Sequence, residues 1–133
     1  MNLELKCLLL EWVNSRNRKG TPTHLAVMYG QTEATARMSS FYLDQHPDKI
    51  RSVGKAIPGG RFWIHNPKND GRGDIYYSGA NVFMGYVTIR KDLEYPMLCQ
   101  NANKKLDTGD IGWLDGDGYL YVTGRKKRFI LKM

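Results

Sequence analysis

From Gly54 to Arg125 glycine and proline cut the chain into short runs rich in β-branched and aromatic residues, and this punctuation constrains the fold most. The runs Arg61–Asn66, Asp74–Ser78, Ile111–Leu114 and Tyr119–Thr123 have strand composition and strand length. Asp115-Gly-Asp-Gly118 joins the last two and is a strong hairpin signal, because its residues tolerate the backbone angles a tight reversal needs. Asn66-Pro-Lys-Asn-Asp-Gly71 reads as a similar turn, and Gly54-Lys-Ala-Ile-Pro-Gly-Gly60 separates this region from what precedes it. Short strands joined by Gly-rich turns suggest an antiparallel, barrel-like unit. Thr88–Leu93 is expected to form a helical turn.

Upstream the texture differs. Leu5, Leu8, Leu9, Trp12 and Val13 recur at helical spacing, which predicts an amphipathic helix from Leu3 to about Arg16. Asn14, Ser15, Asn17 and Gly20 stop it, and Thr21-Pro-Thr23 is a linker. The apolar run His24–Met28 then reads as a buried strand. A helix feeding such a strand is an α/β unit expected to pack as one layer of a larger sheet. The fold class is therefore α+β: a helix–strand α/β unit over residues 1–53, then an antiparallel barrel-like subdomain over 54–126.

At 133 residues the chain can support one modest core. No apolar run approaches the roughly 20 residues of a membrane span, so no membrane partner is expected. The N-terminus, with Glu4 and Lys6 inside it, is a poor signal peptide. Two cysteines, Cys7 and Cys99, cannot build a disulfide framework, and a reduced, cytoplasmic protein is the expectation. The net charge of +7 invites a nucleic-acid reading, but the basic residues are scattered and no nucleic-acid fold signature accompanies them. His24, His46 and His65 make no metal-ligand spacing with the cysteines. Asp115 and Asp117 lack the spacing of a calcium loop and read as a hairpin tip.

Met28-Tyr-Gly-Gln-Thr-Glu-Ala-Thr35 is the stretch most suited to chemistry. Gly30 permits a sharp turn and close approach of another group. Around it sit an aromatic ring (Tyr29) able to stack, a hydroxyl (Thr32) able to bond a phosphate oxygen, and a carboxylate (Glu33), a hard ligand for Mg²⁺. The structural alternative is a strand followed by a short helix with Thr32 as its cap. Downstream, Asp110 follows a Thr-Gly turn and can accept hydrogen bonds from a vicinal diol, or merely cap backbone amides. Arg125 offers a guanidinium fork suited to ribose or phosphate, or is one more solvated cation. Asp107 and Thr108 read as turn scaffolding.

Three stretches in this order, Tyr29-Gly-Gln-Thr-Glu33, Gly73-Asp-Ile…Gly85-Tyr86 and Thr108-Gly-Asp110…Gly124-Arg125, resemble the motifs of the adenylate-forming superfamily. That superfamily comprises acyl- and aryl-CoA synthetases, luciferases and peptide-synthetase adenylation domains. The resemblance runs from about Leu25 to Ile130 and implies a fragment of the acetyl-CoA synthetase-like fold. It implies that Tyr29 stacks near the adenine, that Gly30 belongs to the nucleotide site, and that Thr32 touches the phosphate and Glu33 holds Mg²⁺. Asp110 would take the ribose hydroxyls and Arg125 the ribose or phosphate. Lys127 matches the hinge to a C-terminal lid, so 127–133 would be hinge and start of that lid. The implied cofactors are ATP or AMP, Mg²⁺ and coenzyme A. The implied partners are a small carboxylic acid and a thiol, either CoA or a carrier protein, with self-association left open.

Departures from the family pattern matter as well. No Gly/Ser/Thr-rich phosphate loop ending in Lys occurs. The chain stops at Met133, so the lid's catalytic lysine is expected to be missing, and Ile130-Leu131-Lys132 stands where the family often has Ile-Lys. Asp74 replaces a Glu. The reading is the AMP- and Mg²⁺-binding side of an ATP-dependent acyl-CoA synthetase, incomplete as a catalyst. A non-catalytic interaction fragment, a carrier-loading adenylation domain and a basic nucleic-acid binder remain as alternatives.

Overall fold

The computed structural model describes residues 2–86, 89–91 and 104–126. The helical turn expected at Thr88–Leu93 lies largely outside these residues, and the segment 127–133, including Lys127, lies wholly outside.

Helix α1 (Leu3–Arg18) starts where the Asn2 side chain accepts the Glu4 amide at 3.2 Å. It ends with Arg16 and Arg18 in its last turn, where cations meet the negative end of the helix dipole. Gly20, at φ 76°, turns the chain away. The face it buries is not the one its leucines mark. Leu5, Leu8 and Trp12 are 45%, 63% and 54% exposed, whereas Lys6 and Val13 are buried. Lys6 explains the orientation, because its Nζ donates to the Ile50 carbonyl at 2.9 Å and the Ser52 carbonyl at 2.8 Å. Those two carbonyls have no strand partner, and a buried acceptor must be satisfied somewhere.

Strands β1 (Ala26–Tyr29), β2 (Ser39–Tyr42) and β3 (Lys55–Ala56) form an antiparallel sheet in that order. The α/β expectation of a layer in a larger sheet is thus met only by a small hairpin-built one. The reversal is local. A 3₁₀ turn at Thr32–Ala34 is followed by Thr35 at φ 52° and Ala36 at φ 62°, and the chain returns beside the strand it has just left. Gly30 makes this reversal feasible, since a Cβ there would collide with the Ala36 carbonyl.

The second sheet is a four-stranded antiparallel meander of β4 (Arg61–His65), β5 (Gly73–Ser78), β6 (Lys105–Leu114) and β7 (Leu120–Arg125). Both expected hairpins form, at 66–72 and 115–119. The barrel-like expectation is corrected to an open sheet, because β4 and β7 do not pair with each other. Four strands are too few to close a barrel around packed side chains. The sheet instead leans on the first one through a bridge between Gly54 and Leu120.

Strand β6 is longer than the expected Ile111–Leu114 and takes in Thr108-Gly-Asp110, which had read as a turn. The glycine alone behaves like a turn residue, at φ 70°, and the ladder shifts register beside it on both sides. On either side of Gly109 the alternation persists, and Leu106, Thr108 and Asp110 are all buried.

The main core lies between the sheets and joins Ala34 and Met38 to Phe62, Ile75, Tyr77, Val82, Leu106 and Leu120. A second cluster of Val27, Phe41, Leu43 and Tyr119 receives Leu10 of the helix. Asp115 organises the last hairpin. Its carboxylate accepts the Tyr119 amide at 2.8 Å and the Asp117 amide at 3.0 Å, and Lys49 Nζ bonds it at 3.0 Å and Asp117 at 2.8 Å.

Two outcomes follow from these contacts. Lys6→Met, which keeps the stem and removes the donor, should cost roughly 1–3 kcal/mol by stranding two carbonyls, read from urea unfolding. Burial opposes ionisation of Asp115, but the Lys49 ammonium and the Tyr119 amide outweigh it and hold the carboxyl below its usual range. Its folded pKa therefore lies below its unfolded value of about 4, so its contribution is complete above about pH 4 and lost on further acidification. Unfolding midpoints between pH 7 and pH 3 should fall less steeply in Asp115→Asn than in the wild type.

Candidate functional site

The loop after β1 is fixed by backbone bonds before any ligand is considered. The Gln31 carbonyl accepts the amides of Ala34 and Ala36, each at 3.0 Å. The Glu33 carbonyl accepts the Phe83 amide at 2.8 Å. Asn81 braces the same loop, its Nδ2 donating to the Ala34 carbonyl at 2.8 Å and the Arg37 carbonyl at 2.9 Å. Tyr77 donates its hydroxyl to Asn81 Oδ1 at 2.9 Å. The Gly-Ala-Asn segment of the middle motif therefore supports the first motif.

Thr108 performs the equivalent task on β6. Its hydroxyl donates to the Ile75 carbonyl at 2.8 Å and accepts the Asp110 amide at 3.1 Å. Asp110 is consequently held with its carboxylate on the buried side of the strand, 7% exposed. Three contacts converge there. Tyr29 donates its hydroxyl to Oδ2 at 2.6 Å, Gln31 Nε2 approaches the same oxygen at 3.3 Å, and Arg125 Nε bonds Oδ1 at 2.9 Å. Gln31 Nε2 also donates to the Thr108 carbonyl at 2.5 Å. Burial, and then the Asp110 carboxylate accepting its hydrogen bond, push the Tyr29 phenol well above its usual range, so Tyr29 is a neutral donor at any physiological pH.

Beside this cluster opens a cleft of about 450 Å³, lined by Gly30, Gln31, Thr32, Glu33, Tyr86, Leu106, Asp107, Thr108, Gly109 and Arg125. One wall is the first motif and the other is β6 with the end of β7. Tyr86 donates its hydroxyl to Glu33 Oε1 at 2.6 Å. Below the mouth, Lys126 Nζ bridges Asp107 at 2.8 Å and Asp74 at 3.1 Å. Burial opposes the charge on Asp107, yet the Lys126 ammonium and the Gly109 amide hold its carboxyl below the usual range. The cleft thus presents a carboxylate, a hydroxyl and a half-exposed guanidinium to whatever enters, a combination suited to a polar, phosphate-bearing ligand.

The structure brings all the described candidate residues into one region. Gly30, Thr32, Glu33 and Arg125 line the cleft directly. Tyr29 and Asp110 stand behind the wall and touch each other. Thr32 is the first residue of its 3₁₀ turn, and the capping position belongs to Gln31, whose side chain makes no cap bond. Asp107 and Thr108 are strand residues with their own roles. Four contributors were missed by sequence reasoning: Gln31, Asn81, Tyr86 and Lys126. Gln31 and Tyr86 lie inside motifs already singled out, so their polar side chains were the available signal. Their partners lie 77 and 53 residues away, which the local pattern cannot reveal.

Comparison with known proteins identifies the family. The model of the AMP-binding enzyme family matches residues 8–87, more than half of the chain. The long-chain-fatty-acid–CoA ligase ACSBG2 of Xenopus laevis is 38% identical over 104 residues, 78% of this chain and 13% of that protein. The long-chain-fatty-acid–CoA ligase ACSBG1 of Mus musculus is 34% identical over 114 residues, 84% of this chain and 15% of that protein. Among solved structures, the o-succinylbenzoate CoA synthetase MenE of Bacillus subtilis in complex with AMP superposes with a TM-score of 0.66. It is 26% identical and covers 88% of this chain and 30% of that one. The same enzyme in complex with ATP and magnesium ion gives a TM-score of 0.63 at 28% identity, covering 87% and 24% of the two chains. The chain therefore spans only 13–15% of the length of these two ligases. With a family model over more than half of its length, the chain belongs to the AMP-binding enzyme family.

Proposed function

We propose that this chain forms the nucleotide-binding side of an ATP-dependent, AMP-forming acyl-CoA synthetase. One observation carries the reading: Tyr29 and Arg125, from the first and third motifs, meet on the two oxygens of Asp110 beside a polar cleft. In the parent reaction a carboxylate attacks the α-phosphorus of ATP, pyrophosphate leaves, and the thiol of coenzyme A then displaces AMP from the acyl-adenylate. Here the Asp110 carboxylate accepts the ribose hydroxyls, and Arg125 adds a guanidinium at the ribose or the phosphate. Thr32 donates to a phosphate oxygen from the opposite wall, and the Tyr29 ring borders the adenine. Lys127 would be the hinge residue for the lid. The relatives named as CoA ligases support coenzyme A as thiol, and the low cysteine content supports a cytoplasmic setting.

Mg²⁺ fits the donor set. Glu33 supplies one hard carboxylate at the cleft, and among the described residues no group of three His, Cys, Asp or Glu side chains gathers as a dedicated metal cage. Mg²⁺ is commonly held in that way, by one or two carboxylates, with substrate phosphates and water completing the shell. When bound, it would neutralise charge developing on the phosphoryl oxygens. Tyr86, hydrogen-bonded to Oε1, orients the carboxylate for this task.

Calorimetric titration with a non-hydrolysable acyl-adenylate analogue tests the reading. The wild-type chain should bind it, and Asp110→Ala should weaken binding by about tenfold or more, the loss expected for charge-assisted hydrogen bonds to two hydroxyls. A folded wild-type chain that shows no binding would refute the proposal for this chain.

A further inference from the structure

We propose that the side-chain amide of Gln31 sets ribose recognition at this site by holding Asp110 ready for a vicinal diol. The inference rests on the nucleotide reading above and assigns the discrimination to a residue outside it. Gln31 sits at the capping position of the 3₁₀ turn, in extended backbone at φ −140°, and its side chain makes no cap bond. The amide is instead spent across the cleft wall, on the Thr108 carbonyl at 2.5 Å and on Asp110 Oδ2 at 3.3 Å.

The lone pairs of Asp110 decide what this contact does. An ionised carboxylate has about four acceptor sites, two on each oxygen. Tyr29 and Gln31 occupy both sites on Oδ2, and Arg125 occupies one on Oδ1. Among the described residues nothing takes the second position on Oδ1, and a diol entering from the cleft can occupy it. Its second hydroxyl needs Oδ2, where the Gln31 contact is the longest of the three and leaves most room for it. The Gln31 amide has two N–H groups, and with one on the Thr108 carbonyl and the other on Oδ2 it keeps the plane of the carboxylate fixed as the hydroxyls arrive. Gln31 is thus a positioning residue: it keeps the carboxylate from rotating towards Arg125 in the free protein and hands it to the ribose.

Gln31→Met keeps length and volume and removes the donor. The test measures, on the full chain, the ratio of affinities for AMP and for 2′,3′-dideoxy-AMP. The wild type should prefer AMP by about tenfold, and Asp110→Ala should have almost no preference. Gln31→Met should fall to about threefold or less through weaker binding of AMP, with a melting temperature lowered by loss of the donor to the Thr108 carbonyl. The double variant should match Asp110→Ala, because both act on the same carboxylate. A wild-type ratio retained in Gln31→Met, with the ratio lost in Asp110→Ala, overturns this inference alone. Equal weakening of both nucleotides in Gln31→Met also overturns it, since a general structural role does that. A wild-type chain with no preference overturns the nucleotide reading and this inference together.

Discussion

The hydrogen bond between the Tyr29 hydroxyl and Asp110, 2.6 Å long, is the contact on which the site depends. It joins residues 81 positions apart and ties the end of β1 to the middle of β6. Each group offsets part of the other's desolvation: the phenol joins Gln31 and Arg125 as donors to the buried carboxylate, and the carboxylate gives the half-buried phenol its acceptor. The pairing works because both strands deliver their side chains to the same side. Core packing of Leu106 and Leu120 sets the height of β6, and Asn81 sets the height of the first loop. The small sheet and the meander are thus locked together at one polar point beside an apolar core.

Charge around that point is graded. Asp110 is enclosed and takes neutral donors on one oxygen and a guanidinium on the other, whereas Asp107 and Asp74, on the outer face, share the Lys126 ammonium. The outer network is open to water and contributes modestly to stability, as exposed ion pairs do. Its position next to Arg125 nevertheless fixes where β7 ends, because Lys126 also donates its backbone amide to the Gly109 carbonyl at 2.8 Å. The end of β7 is therefore pinned to the same glycine that bends β6.

Much of this was legible in the sequence, and the failures share one cause. The hairpins at 66–72 and 115–119 and the reversal after Gly30 depend on local backbone preferences, which are written in adjacent residues. The motif residues were recognisable because residue type, order and spacing agreed together. The open sheet, the full length of β6 and the burial of Lys6 were not legible, because each is decided by partners far along the chain. Thr-Gly-Asp is a turn by composition, yet β5 and β7 on either side make it a strand. The leucine spacing of α1 marks one face, yet two unpaired carbonyls near residue 50 draw the opposite one inward.

Asp110 and Thr108 occupy the same buried row of β6 as Leu106, and Leu106 and Thr108 also line the cleft, so one row of side chains serves both the core and the cleft wall. Interior packing and ligand geometry are therefore a single mechanical object here. A methyl group lost at Ile75 would let β6 shift, and with it the Asp110 carboxylate, without any change among the residues that line the cleft. Drift in the interior of such a chain during evolution would retune its affinity as a side effect. Laboratory selection for stability alone would be expected to alter binding as well, through residues that no survey of the cleft would single out.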